Sequence, residues 1–367
     1  MQSFENEFEP TIRCIDVSGA DQIRGDHAMQ GLSAAKWSYV TRGVTDRGRT
    51  RLGGFAAQPR LGDLVVSSVK HVGEHESLEN SHGRRARLYP GDIVVGACGN
   101  RYATEFYEGY LPRGTAAHLL TAGGVVGVVA SAHARRGPPT ELSVIGPLTD
   151  PAGAAISLEK LSLRAPPPAR TPPATVVVVG SSMSAGKTTT AASLVNGWTR
   201  AGLTAAAGKV TGSGSGKDRW MYEDAGASAV VDFLDFGMPS TFGYPVERLR
   251  ATMISIRDEL ARRGSDAVVL ELADGLLQAD TAALLAFLPG FADAVVLAVR
   301  DALSAVAGVR ILHDLGAPVR AISGLVTASP LASREAVAAT GLDVLSPAAL
   351  VNGAAVELLS PGEAVSA

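Results

Sequence analysis

Apolar residues along the chain follow two rhythms. Up to residue 164, short apolar runs alternate with Gly and Pro turn signals: DLVVSSV from Asp63, DIVVGAC from Asp92, GGVVGVVAS from Gly123 and ELSVIG from Glu141. Short runs between breakers, without a sustained helical period, predict strands. Two of them look alike, since LGDLVVSSV from Leu61 and PGDIVVGAC from Pro90 each set Gly-Asp in a turn before an apolar strand. The expectation for residues 1–164 is a β-rich domain, barrel- or sandwich-like, with an internal pseudo-repeat.

From residue 175 the rhythm changes. TVVVV, TAAAG, AVVDFL, AVVLEL, AVVLAV and VRAISGLV read as buried strands. Between them, Val246, Leu249, Met253, Ile256 and Leu260 recur at helical spacing, as do Ala191, Leu194, Val195 and Trp198. Repeated strand-helix units predict an α/β domain over residues 175–367, with a mostly parallel sheet and helices on both faces. Ligands of such domains bind beyond the carboxyl ends of the strands. Residues 165–174 hold five prolines within LRAPPPARTPPAT and predict an extended linker.

Charge and cysteine content narrow the partners. A net charge of −3 over 367 residues gives no basic field for nucleic acid or an anionic membrane. Cys14 and Cys98 make neither a disulfide framework nor a cysteine zinc motif, and the first ten residues, MQSFENEFEP, lack a signal-peptide pattern. The expectation is a cytoplasmic protein with a small-molecule substrate, no nucleic-acid or membrane partner, and a homodimeric assembly.

The chemistry gathers at the first strand of the second module. VVVVGSSMSAGKTTTAASLV, Val176 to Val195, runs a β-branched strand into a Gly/Ser loop and then a helix. Gly180, Ser182, Ser184 and Ala185 shape the loop, Gly186 lets the backbone approach a phosphate, Lys187 reaches the terminal phosphates, and Thr188 offers a hydroxyl to Mg²⁺ with Thr189 behind it. Gly180 precedes Gly186 by six positions, five residues lying between them, and Ser181 occupies the usual glycine position. A Gly/Ser turn that happens to contain lysine is the weaker alternative. Lys209 ends the next strand and opens a glycine loop carrying Ser213, Lys217 and Arg219, which reads as a cationic flap able to close over anions or as an ordinary solvated loop. Glu271 ends an apolar strand where a carboxylate would hold Mg²⁺ or its water.

In this order, Gly-x5-Gly-Lys-Thr, a strand ending Gly-Lys-x-x-Gly-Ser, YEDAGAS and LELADGLL, the second module resembles the dethiobiotin synthetase branch of P-loop NTPases, from about Val176 to Pro347. The resemblance implies ATP and Mg²⁺ as cofactors. It also implies Lys187 and Lys209 facing the phosphates or the activated substrate, Ser213 touching substrate, and Thr188, Asp224 and Glu271 around the metal. RAISGLVTASP resembles the segment near the nucleotide base, where Thr327 replaces an adenine-reading asparagine. Ser181, Ser182 and Met183 stand in place of Thr-Asp-Thr, and Leu272 and Asp274 replace small residues near the reacting centre. These departures set the chain apart from dethiobiotin synthetase itself.

The branch implies an ATP-dependent ligase, synthetase or kinase that transfers a γ-phosphoryl group to an acid-type metabolite. Lys187, Lys209 and Glu271 would then be the catalytic set, and Lys209, Ser213, Lys217 and Arg219 would meet the substrate. Two other classes stay open: a nucleotide-gated binding or chaperone module, and a group transferase whose loop cradles a phosphate-bearing donor such as coenzyme A. In the first module, His71, His75, Glu79 and His82 would share a face on a helix, although Gly73 and the polar run around them suit a solvated loop. GNRYATEFYEGYLP, Gly99 to Pro112, offers aromatics and Arg101 for a substrate rim, for the interface with the second module or for core packing, and DFGMPSTFGYP, Asp235 to Pro245, could line an acceptor pocket or simply connect strand to helix.

Overall fold

Each long apolar run of the first module becomes a strand in the computed structural model, which describes residues 32–55 and 58–360. The strands are β1 (Lys36–Trp37), β2 (Arg51–Leu52), β3 (Leu64–His71), β4 (Ser77–Glu79), β5 (Arg85–Arg87), β6 (Ile93–Cys98), β7 (Tyr107–Tyr110), β8 (Ala116–Leu119), β9 (Val125–Ala132) and β10 (Glu141–Thr149). The two look-alike runs are β3 and β6, paired antiparallel with Leu64 opposite Ala97. From β6 the hydrogen-bonded path runs through β3, β10, β8 and β9, and β9 pairs in parallel with β6, so the five-strand path closes on itself. Register shifts along β10 supply the bending that a closing sheet requires. Cys14 lies outside the described residues.

Alternation along these strands serves two cores. Val65, Val69, Val94, Val126 and Val144 face one cluster inside the first module. Their neighbours Leu64, Val66, Val95 and Val125 face another, which continues without a break into the second module. Both faces are therefore buried, which is why the runs read as continuous rather than alternating.

The second module holds six parallel strands, β11 (Ala174–Gly180), β12 (Ala205–Lys209), β13 (Val230–Asp232), β14 (Ala267–Glu271), β15 (Ala294–Ala298) and β16 (Val319–Ser323), in the order β13-β12-β14-β11-β15-β16. Helices α1 (Lys187–Arg200), α2 (Lys217–Asp224), α3 (Val246–Arg262), α4 (Ala279–Leu285), α5 (Ala302–Asp314) and α6 (Pro330–Thr340) connect or follow them. On one face Val176 and Val178 pack with Leu194 and Trp198 of α1. On the other, Val177 and Val179 share a cluster with Leu249, Met253, Ile256 and Leu260 of α3. The run AVVDFL stops as a strand at Asp232, because that carboxylate accepts hydrogen bonds from Leu234 N and Asp235 N and starts a tight turn over Phe233–Phe236. No helix among the described residues is long and apolar enough to cross a membrane.

The two modules are joined by polar contacts as well as by the shared core. Arg42 donates to Asp232 at 2.8 Å and to Asp235 at 2.6 Å. Glu79 is buried and accepts from Gly216 N at 3.0 Å, with the Trp220 indole N–H at 3.2 Å. Gly123 lies so close to the glycine loop that a Cβ there would fall 2.1 Å from the Gly214 carbonyl oxygen.

The polar run around His75 is the strand and loop that Gly73 suggested, but it is not all solvated. The segment carrying His71, His75, Glu79 and His82 is strand and loop, not helix, so the four side chains diverge. His71 and His82 are exposed, His75 stacks on Phe106 at 5.6 Å between ring centres, and Glu79 turns into the module interface. Among the described residues no group of three or more His, Cys, Asp or Glu could hold a metal ion.

Burial, with Arg101 nearby, holds the His75 imidazole down at about 4. In the unfolded chain the ring takes a proton near its ordinary value, about 6.5. Stability from this group is therefore intact above about pH 6.5 and falls as pH drops towards 4, by roughly 3 kcal/mol. Chemical denaturation across that range should show the decline, and His75→Gln should flatten it.

Candidate nucleotide-binding site

Strand β11 ends at Gly180, and the chain wraps from Ser181 to Gly186 before α1 begins at Lys187. The loop's glycines are fixed by contact. A Cβ on Gly180 would sit 2.7 Å from the Lys187 side chain, and one on Gly186, whose φ is 102°, would sit 2.8 Å from Gly324 Cα. Lys187 is buried and folds back over the loop, donating to the Ser182 carbonyl at 2.9 Å and to the Asp274 carbonyl. Burial pulls its ammonium below the ordinary lysine value, while Glu271 and Asp274 act in the opposite sense. The Ser181 hydroxyl is buried without a hydrogen-bond partner. An orphaned donor among the described residues, a helix start without a side-chain cap and a buried lysine fit the phosphates of a nucleotide.

Below the loop, charges converge from three turns. Thr188 Oγ1 lies 3.2 Å from Asp218 Oδ1 and 3.3 Å from Glu271 Oε1. Lys209 pairs with Asp218 and lies 3.5 Å from Glu271 Oε1, whose other oxygen accepts from the Tyr222 hydroxyl. Burial opposes charge on Lys209, but Asp218 and Glu271 outweigh it and hold the ammonium above its ordinary value. Burial likewise pushes the Asp218 carboxyl up, and Lys209 more than reverses this, leaving it below the ordinary range. Tyr222, buried beside Glu271, is pushed well above the usual phenol value. The fully buried strand end therefore carries its carboxylate only with a cation and a phenol beside it.

Thr188, Asp218 and Glu271 form the oxygen set that would hold Mg²⁺. Two carboxylates and a hydroxyl suffice for this ion, which keeps several waters and phosphate oxygens of its own. Asp218 fills the position expected of Asp224. The two lie six residues apart on α2, about 9 Å along the axis. Asp218 sits in the first turn facing Thr188, whereas Asp224 is exposed at the far end.

The other expected residues divide. Ser213 lines a water-sized cavity of about 10 Å³ with Gly212, Thr241, Phe242, Tyr102 and Asp274, so the segments around Tyr102 and Phe242 do meet there. Burial raises the Asp274 carboxyl, with Lys187, Lys209 and Arg101 offsetting part of the shift. Thr327 caps its own turn, its hydroxyl donating to Gly324 O at 2.7 Å, and that turn adjoins the loop through Leu325 N and Ala185 O at 3.0 Å. Thr189 is exposed in the first turn of α1.

Lys217 is exposed, and Arg219 points to Glu223 at 2.9 Å and Asp235 at 3.8 Å rather than to the loop. The glycine loop is not an open flap. Within the second module Gly214 N donates to Pro239 O and Thr241 N donates to Gly212 O, and from the first module Glu79 holds Gly216 and Thr121 donates to Gly214 O at 3.2 Å.

Sequence reading missed Asp218, Tyr222, Glu105 and Arg300. Asp218 had a usable signal, standing beside Lys217 at the start of a helix after the glycine loop. Glu105 had none, since its contact to Ser184 Oγ, 2.7 Å, spans 79 residues of chain.

The second module has a P-loop NTPase fold, by its parallel sheet, its loop between β11 and α1, and the strand-end carboxylate of the adjacent β14. No protein-family model matches the chain, and no curated protein matches it. Among solved structures, it is similar to the signal recognition particle 54 kDa protein from Aeropyrum pernix K1 in complex with GDP, at 22% identity over 55% of this chain and 52% of that one, with a TM-score of 0.36. It is also similar to the signal recognition particle receptor FtsY from Elizabethkingia anophelis, at 16% identity over 56% and 61% of the two chains, with a TM-score of 0.32. The chain thus spans between half and two thirds of the length of these structures.

Asp218→Asn should weaken Mg²⁺-dependent nucleotide binding by about tenfold or more, the loss expected for one charge-assisted contact, while Asp224→Asn leaves it unchanged. Calorimetric titration of both variants with and without Mg²⁺ reads the difference.

Proposed function

We propose that the protein is an ATP- and Mg²⁺-dependent enzyme that transfers a γ-phosphoryl group to an acid-type small molecule, by ligation through an acyl phosphate or by direct phosphorylation. The observation that carries this reading is Lys209. A loop that only held a nucleotide would be served by Lys187, yet a second, half-buried lysine shares the carboxylates Asp218 and Glu271 with the Thr188 hydroxyl.

Bound magnesium would neutralise charge on the phosphate oxygens. The loop amides and Lys187 would bind and orient the phosphates, and Thr188, Asp218 and Glu271 would hold the ion. Lys209, now held by Asp218 and Glu271, would be the ammonium that meets the transferring group once those carboxylates are engaged elsewhere. The cavity lined by Ser213, Tyr102, Phe242 and Asp274 holds about one water as it stands, so an acceptor would enter there only as those side chains part. The resemblance to the dethiobiotin synthetase branch supports this acceptor class. The contacts that pin the glycine loop under the first module do not favour a nucleotide-gated switch.

Lys187→Ala should abolish nucleotide binding and turnover together. Lys209→Ala should lower kcat by about 100-fold or more while ATP affinity changes little, since its partner is the transferring group. A screen of acids and amines with ATP or GTP, recording ADP, GDP or AMP and product masses, tests both. Release of AMP, or equal loss of kcat and ATP affinity in Lys209→Ala, would overturn the reading.

A further inference from the structure

A second cavity, of about 390 Å³, is linked to the phosphate loop through two of its lining residues, Glu105 and Arg300. Its lining is Glu105, His133, Arg135 and Arg136 from the first module and Arg300 from the end of β15. Three guanidinium groups and one carboxylate line it, with Arg136 already paired to Glu74 behind it. Arg136 is fixed in place, donating to Glu74 at 3.1 Å and to the Glu105 carbonyl at 2.9 Å, with its guanidinium 3.6 Å over the Phe106 ring. Arg135 makes no side-chain ion pair or hydrogen bond among the described residues.

The lone carboxylate behaves as a ligand would. Glu105 Oε2 accepts from Ser184 Oγ at 2.7 Å, and Oε1 accepts from Arg300 Nη1 at 3.0 Å. Arg300 also reaches the Met183 carbonyl at 3.5 Å. Ser184 is held at a φ of 56°, a conformation that costs a non-glycine residue on the order of 1 kcal/mol. An acid of the chain's own thus bridges a guanidinium and the phosphate loop, with Arg135 left unpaired among the described residues beside it.

We propose that this cavity is a binding site for a carboxylate or phosphate group of a small molecule, and that Glu105 occupies the place until that group arrives. An anion bound by Arg135 and Arg300 displaces Glu105 and frees Ser184, so filling this site is felt directly at the loop. The cavity's location beside a nucleotide rests on the functional reading above; its affinity for anions does not.

The test is calorimetry on the full chain, with inorganic phosphate and succinate as probes, with and without saturating Mg-ADP. Either probe should bind at one site. Arg135→Ala should weaken it about tenfold, the value of one charge-assisted hydrogen bond. Glu105→Gln should tighten it about threefold by removing a competing anion. Circular dichroism spectra and melting temperatures matching wild type show that both variants are folded. The proposal is overturned if neither wild type nor Glu105→Gln binds a probe, if Arg135→Ala leaves binding unchanged, or if binding is lost only in Lys187→Ala, which would put the probe in the phosphate loop. Failure of ADP to bind the wild type would overturn the nucleotide reading alone, because the probe arms without ADP still decide the cavity.

Discussion

A buried carboxylate needs compensation, and in this chain that need organises the site. Glu271 ends a strand with both faces covered, and three groups from different turns come to it: the Lys209 ammonium, the Tyr222 hydroxyl and the Thr188 hydroxyl. Removing an ion from water costs several kcal/mol unless it is paired. The phosphate loop, the glycine loop and α2 are tied to one another through that single charge and its partner Asp218.

The same constraint explains why the first module is not a detachable appendage. Arg42 crosses to Asp232 and Asp235, Glu79 crosses to Gly216 and Trp220, and one apolar cluster runs through Leu64, Val66, Phe233 and Val179. Burial pushes the Asp235 carboxyl up, beside the charge of Asp232, and Arg42 is the cation that offsets it. The strands of the first module spend one face on their own core and the other on this interface. The glycine loop is consequently closed by packing rather than by a moving lid, and residues such as Glu105 and Tyr102 become neighbours of the nucleotide machinery.

Much of the second module was legible because its signals are local. A β-branched run, a glycine at each end of a loop, and a lysine and threonine at a helix start act over a dozen residues, and backbone geometry turns them directly into a strand, a phosphate cradle and α1. The stripe from Val246 to Leu260 likewise needs only the helical period. Asp224 and Asp218 show the limit. Both are acidic residues on one short helix, and their roles differ only because α2 presents its first turn, and not its last, to Thr188.

The sequence by itself determined the two rhythms, the phosphate loop, and the presence of Lys187, Lys209 and Glu271 at the ends of neighbouring elements. Tertiary structure alone decided that Asp218 completes the acidic set, that Arg219 turns away to Glu223 and Asp235, that Glu79 is a latch rather than a ligand, and that Glu105 reaches Ser184. The reason is range. Hydrogen bonds along a strand or helix are written in adjacent residues, whereas the pairing of buried charges depends on which surfaces meet, and no spacing in the chain encodes a contact 79 or 137 residues away.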